Sequence, residues 1–143
     1  MIALDTNILV YAHRQDSPFH LPALDTLDLL GNGESPWAIP WPCIHEFISI
    51  STHPRIYSPP SSLSISLTFL DNWLQSPSLQ LLSEGPAHFQ TLSEISEKAK
   101  LQGPKIHDAR IAALCLAHGV KTLYTADRDF SLFPALKTKN PLV

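Results

Sequence analysis

An α/β fold, a parallel sheet sandwiched between helices, is predicted by three observations. Short apolar runs alternate with longer segments of helical periodicity along the 143 residues. The runs are separated by Gly, Pro, Ser and Asn punctuation, with no internal repeat and no low-complexity tail. The chain also opens on strand, polar turn and helix in immediate succession, the starting unit of such folds. The length suits one domain spanning residues 1–143.

The elements follow in order. Met1 to Leu4 is apolar and too short for a helix, so it reads as a buried strand ending at Asp5. Thr6 and Asn7 are good N-cap types, and the apolar helix Ile8 to His13 follows. Ser17-Pro18 reads as an N-cap with Pro in the first helical position. Its helix places Leu21, Leu24, Leu27 and Leu30 inward, offers Asp25 and Asp28 to solvent, and stops at Gly31-Asn32-Gly33. Trp37 to Pro40 is a second strand, and Pro42 opens a helix that runs out near Ser51 to Pro54. After a Pro/Ser loop at residues 58–62, Leu63, Leu67, Leu70 and Leu74 predict a helix from Ser61 to Leu74 with that apolar face in the core. Leu79 to Leu82 is a third strand, and Glu84 to Gln102 a helix stopped by Gly103-Pro104. The strongly apolar segment Ile106 to His118 is a helix ended by Gly119. Lys121 to Thr125 is the fourth strand, and Ala135 to Thr138 a short edge strand.

Composition narrows the function. With 44% hydrophobic and 16% charged residues the chain is globular, not disordered. Its net charge of −3 offers no broad basic surface to a polyanion, so a nucleic-acid enzyme here needs local positive charge or metal ions. Cys43 and Cys115 lie in apolar stretches and read as buried thiols of a reducing compartment. The opening MIALDTN carries no signal-peptide pattern, and no apolar run reaches membrane-spanning length, so a cytoplasmic protein is expected.

Of the thirteen acidic residues, Asp129 follows Asp127 two positions on, and the other twelve fall into two groups. Asp16, Asp25, Asp28, Glu34, Asp71, Glu84, Glu94 and Glu97 lie on predicted loops or wet helix faces and need no special role. Asp5, Glu46, Asp108 and Asp127 instead sit in or beside apolar segments, where an ionised carboxylate loses hydration. Each has a plain explanation: Asp5 as a helix cap, Asp108 at a helix dipole, Asp127 in a turn. Glu46, in the middle of its helix, caps nothing. Topology links the four. In open α/β sheets ligands bind beyond the carboxyl ends of the strands, where strand order reverses. Asp5 and Asp127 leave such ends, Asp108 starts a helix that belongs on the same edge, and Glu46 can reach it from the helix after strand two.

Convergence of four carboxylates demands a cation. Two unit charges about 4 Å apart repel by roughly 4 kcal/mol at an effective dielectric of 20. An all-oxygen site completed by water suits Mg²⁺ or Mn²⁺, and the chemistry it serves best is phosphodiester hydrolysis.

The same residues, in the same order, resemble the PIN-domain superfamily and, within it, the VapC toxins of bacterial toxin–antitoxin pairs. Ile2-Ala3-Leu4-Asp5-Thr6-Asn7-Ile8-Leu9 is similar to the family's opening strand and first acid. His45-Glu46-Phe47 resembles the second acid site, and Ile106-His107-Asp108-Ala109-Arg110-Ile111-Ala112-Ala113-Leu114 the third. Thr122 to Phe130, with Asp127, Arg128 and Asp129, resembles the fourth. Ser51-Thr52-His53-Pro54-Arg55 and Asn140-Pro141-Leu142 are similar to segments of one VapC subgroup. The resemblance implies a PIN-like three-layer α/β/α sandwich with five parallel strands. It implies a Mg²⁺- or Mn²⁺-dependent endoribonuclease, a homodimer, and a VapB-like antitoxin that covers the site. Asp5, Glu46 and Asp108 become catalytic, metal-site acids by carry-over. Asp127 matches a position that holds Asp or Asn in the family, and Asp129 is positioned to share or replace it. Thr6, Asn7 and Thr125 become residues that orient ligands or waters.

Other readings fit the sequence less well. The seven histidines contain no i, i+4 pair on one helix, which argues against a His-based zinc site. His107 reads as a surface residue at a helix start. Arg14, Arg55, Lys105 and Arg128 are candidates for RNA phosphate contacts, with ordinary surface charge as the alternative. A phosphatase using Asp5 as nucleophile expects a second Asp at position 7, where Asn stands. A PIN-like module that binds RNA or a partner without cleaving expects eroded acids, yet all four positions keep a carboxylate.

Overall fold

β1 (Ile2–Leu4) is the central strand of a five-stranded sheet of order β3-β2-β1-β4-β5, seen in a computed structural model that describes residues 1–143. The other strands are β2 (Trp37–Pro40), β3 (Leu79–Leu82), β4 (Thr122–Tyr124) and β5 (Lys137–Lys139), and every pairing is parallel. The register sets Ile2 beside Trp37 on one side and beside Thr122 on the other. The chain runs from β1 outward to β2 and β3, then returns across the sheet to lay β4 on the opposite flank of β1. The reversal of strand order therefore falls between β1 and β4, and the carboxyl ends of those two strands are Asp5 and Thr125 to Asp127.

Six helices flank the sheet: α1 (Thr6–His13), α2 (His20–Gly31), α3 (Trp41–Ser51), α4 (Leu63–Leu74), α5 (His88–Ala99) and α6 (Ile106–Ala117). One cluster of 26 buried hydrophobic residues joins strands and helices, with Trp37, Phe47, Phe130 and Phe133 its largest members. The central strands and α6 read as continuous apolar runs because they are covered on both sides; Ala109 and Ile111 to Cys115 are all buried. α6 ends as its sequence directs. Gly119 takes φ +71°, Val120 N–H donates to Cys115 O (3.0 Å) and Gly119 N–H to Leu116 O (3.4 Å), the paired bonds of a Schellman stop. That stop turns the chain directly into β4. No helix is long and apolar enough to cross a membrane.

Several expectations move. The second helix begins at His20, not at Pro18, because Ser17 spends its carbonyl and hydroxyl on a turn to His20 and Phe19. Its core face is Ala23 and Leu27, while Leu21 is 69% exposed. A three-residue leucine spacing drifts round a 3.6-residue helix, and the true face runs at steps of four. α4 shows the larger departure. Its Ser62 caps the helix by accepting from Ile65 N–H (3.1 Å), as the loop composition suggests. Yet the face turned to the core is Ser66, Phe69, Leu70 and Trp73, and Leu63, Leu67 and Leu74 are exposed together with Ile65. The reason lies between α3 and α4, where Ser51 of the first and Ser66 of the second share a buried hydroxyl pair (2.8 Å) that lets the helices approach. Phe69 and Trp73 then fill the space against His13 and Phe47 with tilted, edge-on rings. The helix expected over 84–102 is confined to His88–Ala99, where no residue is buried, and the last strand is shifted from 135–138 to Lys137–Lys139.

Candidate metal centre

Asp5, Glu46, Asp108 and Asp127 line one open cleft of about 380 Å³ at the carboxyl edge of the sheet, with Thr6, Asn7, Val10, Tyr11, Ile50, Ile56 and Tyr57. Each acid arrives on a different element. β1 delivers Asp5, which caps α1 by accepting from Thr6 N–H through Oδ1 (2.7 Å). α3 starts directly after β2 and carries Glu46 at its sixth position, one turn before Ile50 of the same wall. Asp108 lies in the first turn of α6, where the helix dipole favours an anion. Asp127 follows β4 and caps the 3₁₀ turn Arg128–Leu132 by accepting from Asp129 N–H (2.8 Å).

A polar lattice holds these groups. Asp5 is buried, and its Oδ2 accepts from the Thr125 hydroxyl (2.7 Å) and from Asn7 Nδ2 (3.4 Å). The Cys43 thiol points at Oδ1 from 3.7 Å. Thr6 donates its hydroxyl to Glu46 Oε2 (2.9 Å). Asn7 also ties α1 to the turn after β4, donating to Thr125 Oγ1 (3.3 Å) and accepting from Ala126 N–H (3.2 Å). Thr125 Oγ1 in turn accepts from Asp127 N–H (2.9 Å). The three residues assigned supporting roles by resemblance therefore contact the acids directly.

Electrostatics match the crowding. Burial pushes the Asp5 carboxyl up to about 6; bonds from Thr125 and Thr6 oppose the rise, and the charges of Glu46 and Asp127 add to it. Asp108 is raised as well, first by burial and then by Asp127, with Lys105 pulling the other way. One oxygen from each of Asp108, Asp127 and Asp129 lies within 4.8 Å of the others. Ions of the Mg²⁺ class bind oxygen at about 2.1 Å, so two ligands of one ion stand up to roughly 4.2 Å apart. The oxygen-only donor set and the unfavourable ionisation of Asp5 fit a divalent cation, and the outer acids lie close to the spacing that one ion would need.

The four basic candidates separate. Lys105 Nζ contacts Asp129 Oδ2 and lies 3.8 Å from Asp108 Oδ2, so it belongs to the rim of the cluster and already neutralises Asp129. Arg14 is largely covered; its guanidinium binds Asp16 through two bonds (2.9 and 2.6 Å) and stacks 4.1 Å from the Tyr57 ring centroid. Arg55 and Arg128 are exposed and form no ion pair. Arg110, beside Asp108 in sequence, turns away to Glu84. His107 is exposed, as expected, and both cysteines are buried and free. Sequence reasoning missed Val10, Tyr11, Ile50, Ile56 and Tyr57 as cleft residues. Tyr57 stands just after the segment Ser51 to Arg55 that the resemblance had marked, which was the available signal.

A parallel α/β sheet with a carboxylate cluster at its topological switch point defines an acid-centred α/β protein, with its acids where such folds bind ligands. The PIN domain family model matches residues 2–136, and the chain belongs to the PIN-domain family. It is 31% identical over 142 residues to VapC ribonuclease Mb2897 of Mycobacterium bovis, covering 99% of this chain and 96% of the relative. To ribonuclease VapC31 of Mycobacterium tuberculosis it is 29% identical over 141 residues, covering 99% of each. Among solved structures, VapBC2 from Rickettsia felis bound to a promoter DNA fragment shares the fold with a TM-score of 0.70 at 23% identity, over 98% of each chain. VapC20 of Mycobacterium tuberculosis, described as a Sarcin-Ricin loop cleaving toxin, does so with a TM-score of 0.67 at 14% identity, over 92% of this chain and 93% of that one.

Proposed function

We propose that this protein is an endoribonuclease that hydrolyses RNA phosphodiester bonds with Mg²⁺ or Mn²⁺, and that it is the toxin of a VapBC-like module. The observation that carries the reading is the meeting of Asp5, Glu46, Asp108 and Asp127 in one cleft at the β1/β4 switch point. Relatives named VapC ribonucleases align with nearly the whole chain and support the substrate class.

In this reading Asp5, Glu46, Asp108 and Asp127 hold the ion, and Asp129, engaged by Lys105, stands at the edge of the set. A divalent ion bound there would supply polarisation of the phosphoryl oxygen and a more acidic water. The protein supplies position. Thr125 and the Thr6 amide fix both oxygens of Asp5, and the Thr6 hydroxyl fixes Glu46. Lys105 offsets part of the negative charge that a phosphodiester would meet at the rim. Residues 1–143 act as one domain, in the cytoplasm, as a homodimer. A VapB-like antitoxin partners the toxin; solved VapBC assemblies share the fold.

The test is cleavage of labelled RNA by purified protein with added Mg²⁺ or Mn²⁺. Wild type cleaves, and Asp5→Asn and Asp108→Asn lose at least about 100-fold in rate while remaining folded. Cleavage that persists in both variants, at the wild-type rate, removes the assignment.

A further inference from the structure

The cleft has a second wall that phosphate hydrolysis alone does not require. Opposite chemistry from the carboxylates is supplied by Tyr11, Ile56 and Tyr57, and Ile56 is 53% exposed although it is large and apolar. Tyr57 is held in place with unusual care. The Arg14 guanidinium lies against its ring at 4.1 Å, and Arg14 is itself fixed by both carboxylate oxygens of Asp16 and by Ser61 Oγ (3.3 Å). Ser61 is bonded in turn to His13 Nε2 (2.7 Å), whose ring packs edge-on to Phe47 and Phe69 in the interior. A loop tyrosine is thus tied to the core through a cation. No other ring or cation stacks on it.

We propose that Tyr57, clamped by Arg14, is a nucleobase-stacking residue that grips the base beside the scissile phosphate; the proposal rests on the ribonuclease reading above. A ligand that fills this cleft must present an anionic phosphate for the carboxylate-and-cation end and a flat, apolar face for the aromatic end. A nucleotide does both within one unit. Aromatic rings hold unstacked bases whatever their identity, because every base has a π-face. Fixing the ring beforehand lowers the ordering cost of binding. Arg14 thereby acts as a positioning residue for Tyr57, with its charge consumed by Asp16 and the ring in place of a phosphate.

The experiment uses the full-length protein with Mn²⁺ and two readouts. One is the dependence of cleavage on RNA concentration. The other is quenching of 2-aminopurine in a phosphorothioate-linked single-stranded oligoribonucleotide, with the same strand annealed to its complement as control. Tyr57→Phe should resemble wild type. Tyr57→Ala should raise KM by roughly 5- to 100-fold with kcat within a few-fold, and should lose the quenching. Tyr57→Leu, which keeps apolar bulk without a flat ring, should show the same loss and guards against an alanine variant that does not fold. Wild-type KM and quenching in Tyr57→Leu would overturn the proposal while leaving the ribonuclease reading intact; that is also the result if the wall docks a protein segment instead. Quenching by a wild-type protein that cleaves no RNA would uphold stacking and defeat the ribonuclease reading.

Discussion

Thr125 gives its hydroxyl proton to Asp5 Oδ2 across 2.7 Å, joining residues 120 positions apart at the carboxyl ends of two neighbouring strands. The same oxygen of Thr125 accepts from Asp127 N–H, so one small side chain sets the geometry of two acids. Removing only that hydroxyl takes a donor from Asp5 Oδ2 and an acceptor from both Asp127 N–H and Asn7 Nδ2. Thr125→Val should lower kcat/KM for RNA by about 10- to 100-fold and destabilise by about 1–3 kcal/mol. Thr125→Ser should retain most of both. Steady-state kinetics and denaturant melts check the pair.

Asp5 makes the metal-free protein's stability depend on pH. Its folded pKa, about 6, lies above the ordinary 3.8, because burial disfavours the anion. The folded state therefore holds this proton more tightly than the unfolded state does. The resulting stabilisation is full below pH 3.8 and is lost as pH rises through about 6. That difference corresponds to roughly 3 kcal/mol at neutral pH. Without metal, Asp5→Asn should therefore be more stable than wild type at pH 7.5, with the gap closing towards pH 4. Chelator-treated protein melted at a series of pH values reads this directly; an asparagine variant less stable at pH 7.5 speaks against it.

The exposed leucines of α4 invite a paired comparison. Leu67 is 45% exposed and Leu70 is buried one turn away. Leu70→Ala should cost about 2–5 kcal/mol, whereas Leu67→Ser should change monomer stability by no more than about 0.5 kcal/mol. Equal losses in urea unfolding would mean that the leucine stripe is covered after all.

What the sequence disclosed and what it concealed differ by physical cause. Asp5, Glu46, Asp108 and Asp127 were legible because a carboxylate inside an apolar segment is costly and therefore conspicuous. β1, β2 and α6 were legible because burial on both sides makes their apolar runs continuous, and the Gly119 stop is a local backbone requirement. The inward face of α4 was not legible. Leu63, Leu67 and Leu74 form the stronger apolar stripe, but the Ser51–Ser66 contact decides which way the helix turns, and that contact spans elements. For Arg14 the sequence leaves phosphate contact and ordinary surface charge both open, because its neighbours in space, Asp16 and Tyr57, are set by loop conformation and not by periodicity.

Lys105 tests how the outer acids are shared. Its ammonium lies on Asp129 and near Asp108, where an added cation would compete with it. Lys105→Met should tighten Mn²⁺ binding or admit a second ion, measured by calorimetric titration. Unaltered affinity and stoichiometry would show that Asp129 plays no part in holding the ion.

The most direct test of the central claim is Mn²⁺ titration of the RNA-free protein, followed by calorimetry and by melting temperature. Wild type should bind saturably and melt at a higher temperature as the ion is added, because binding favours only the folded state, and Asp108→Asn should lose most of both effects. Saturation and stabilisation that are the same in Asp108→Asn as in wild type, or absent from wild type at millimolar Mn²⁺, would contradict the metal centre described above.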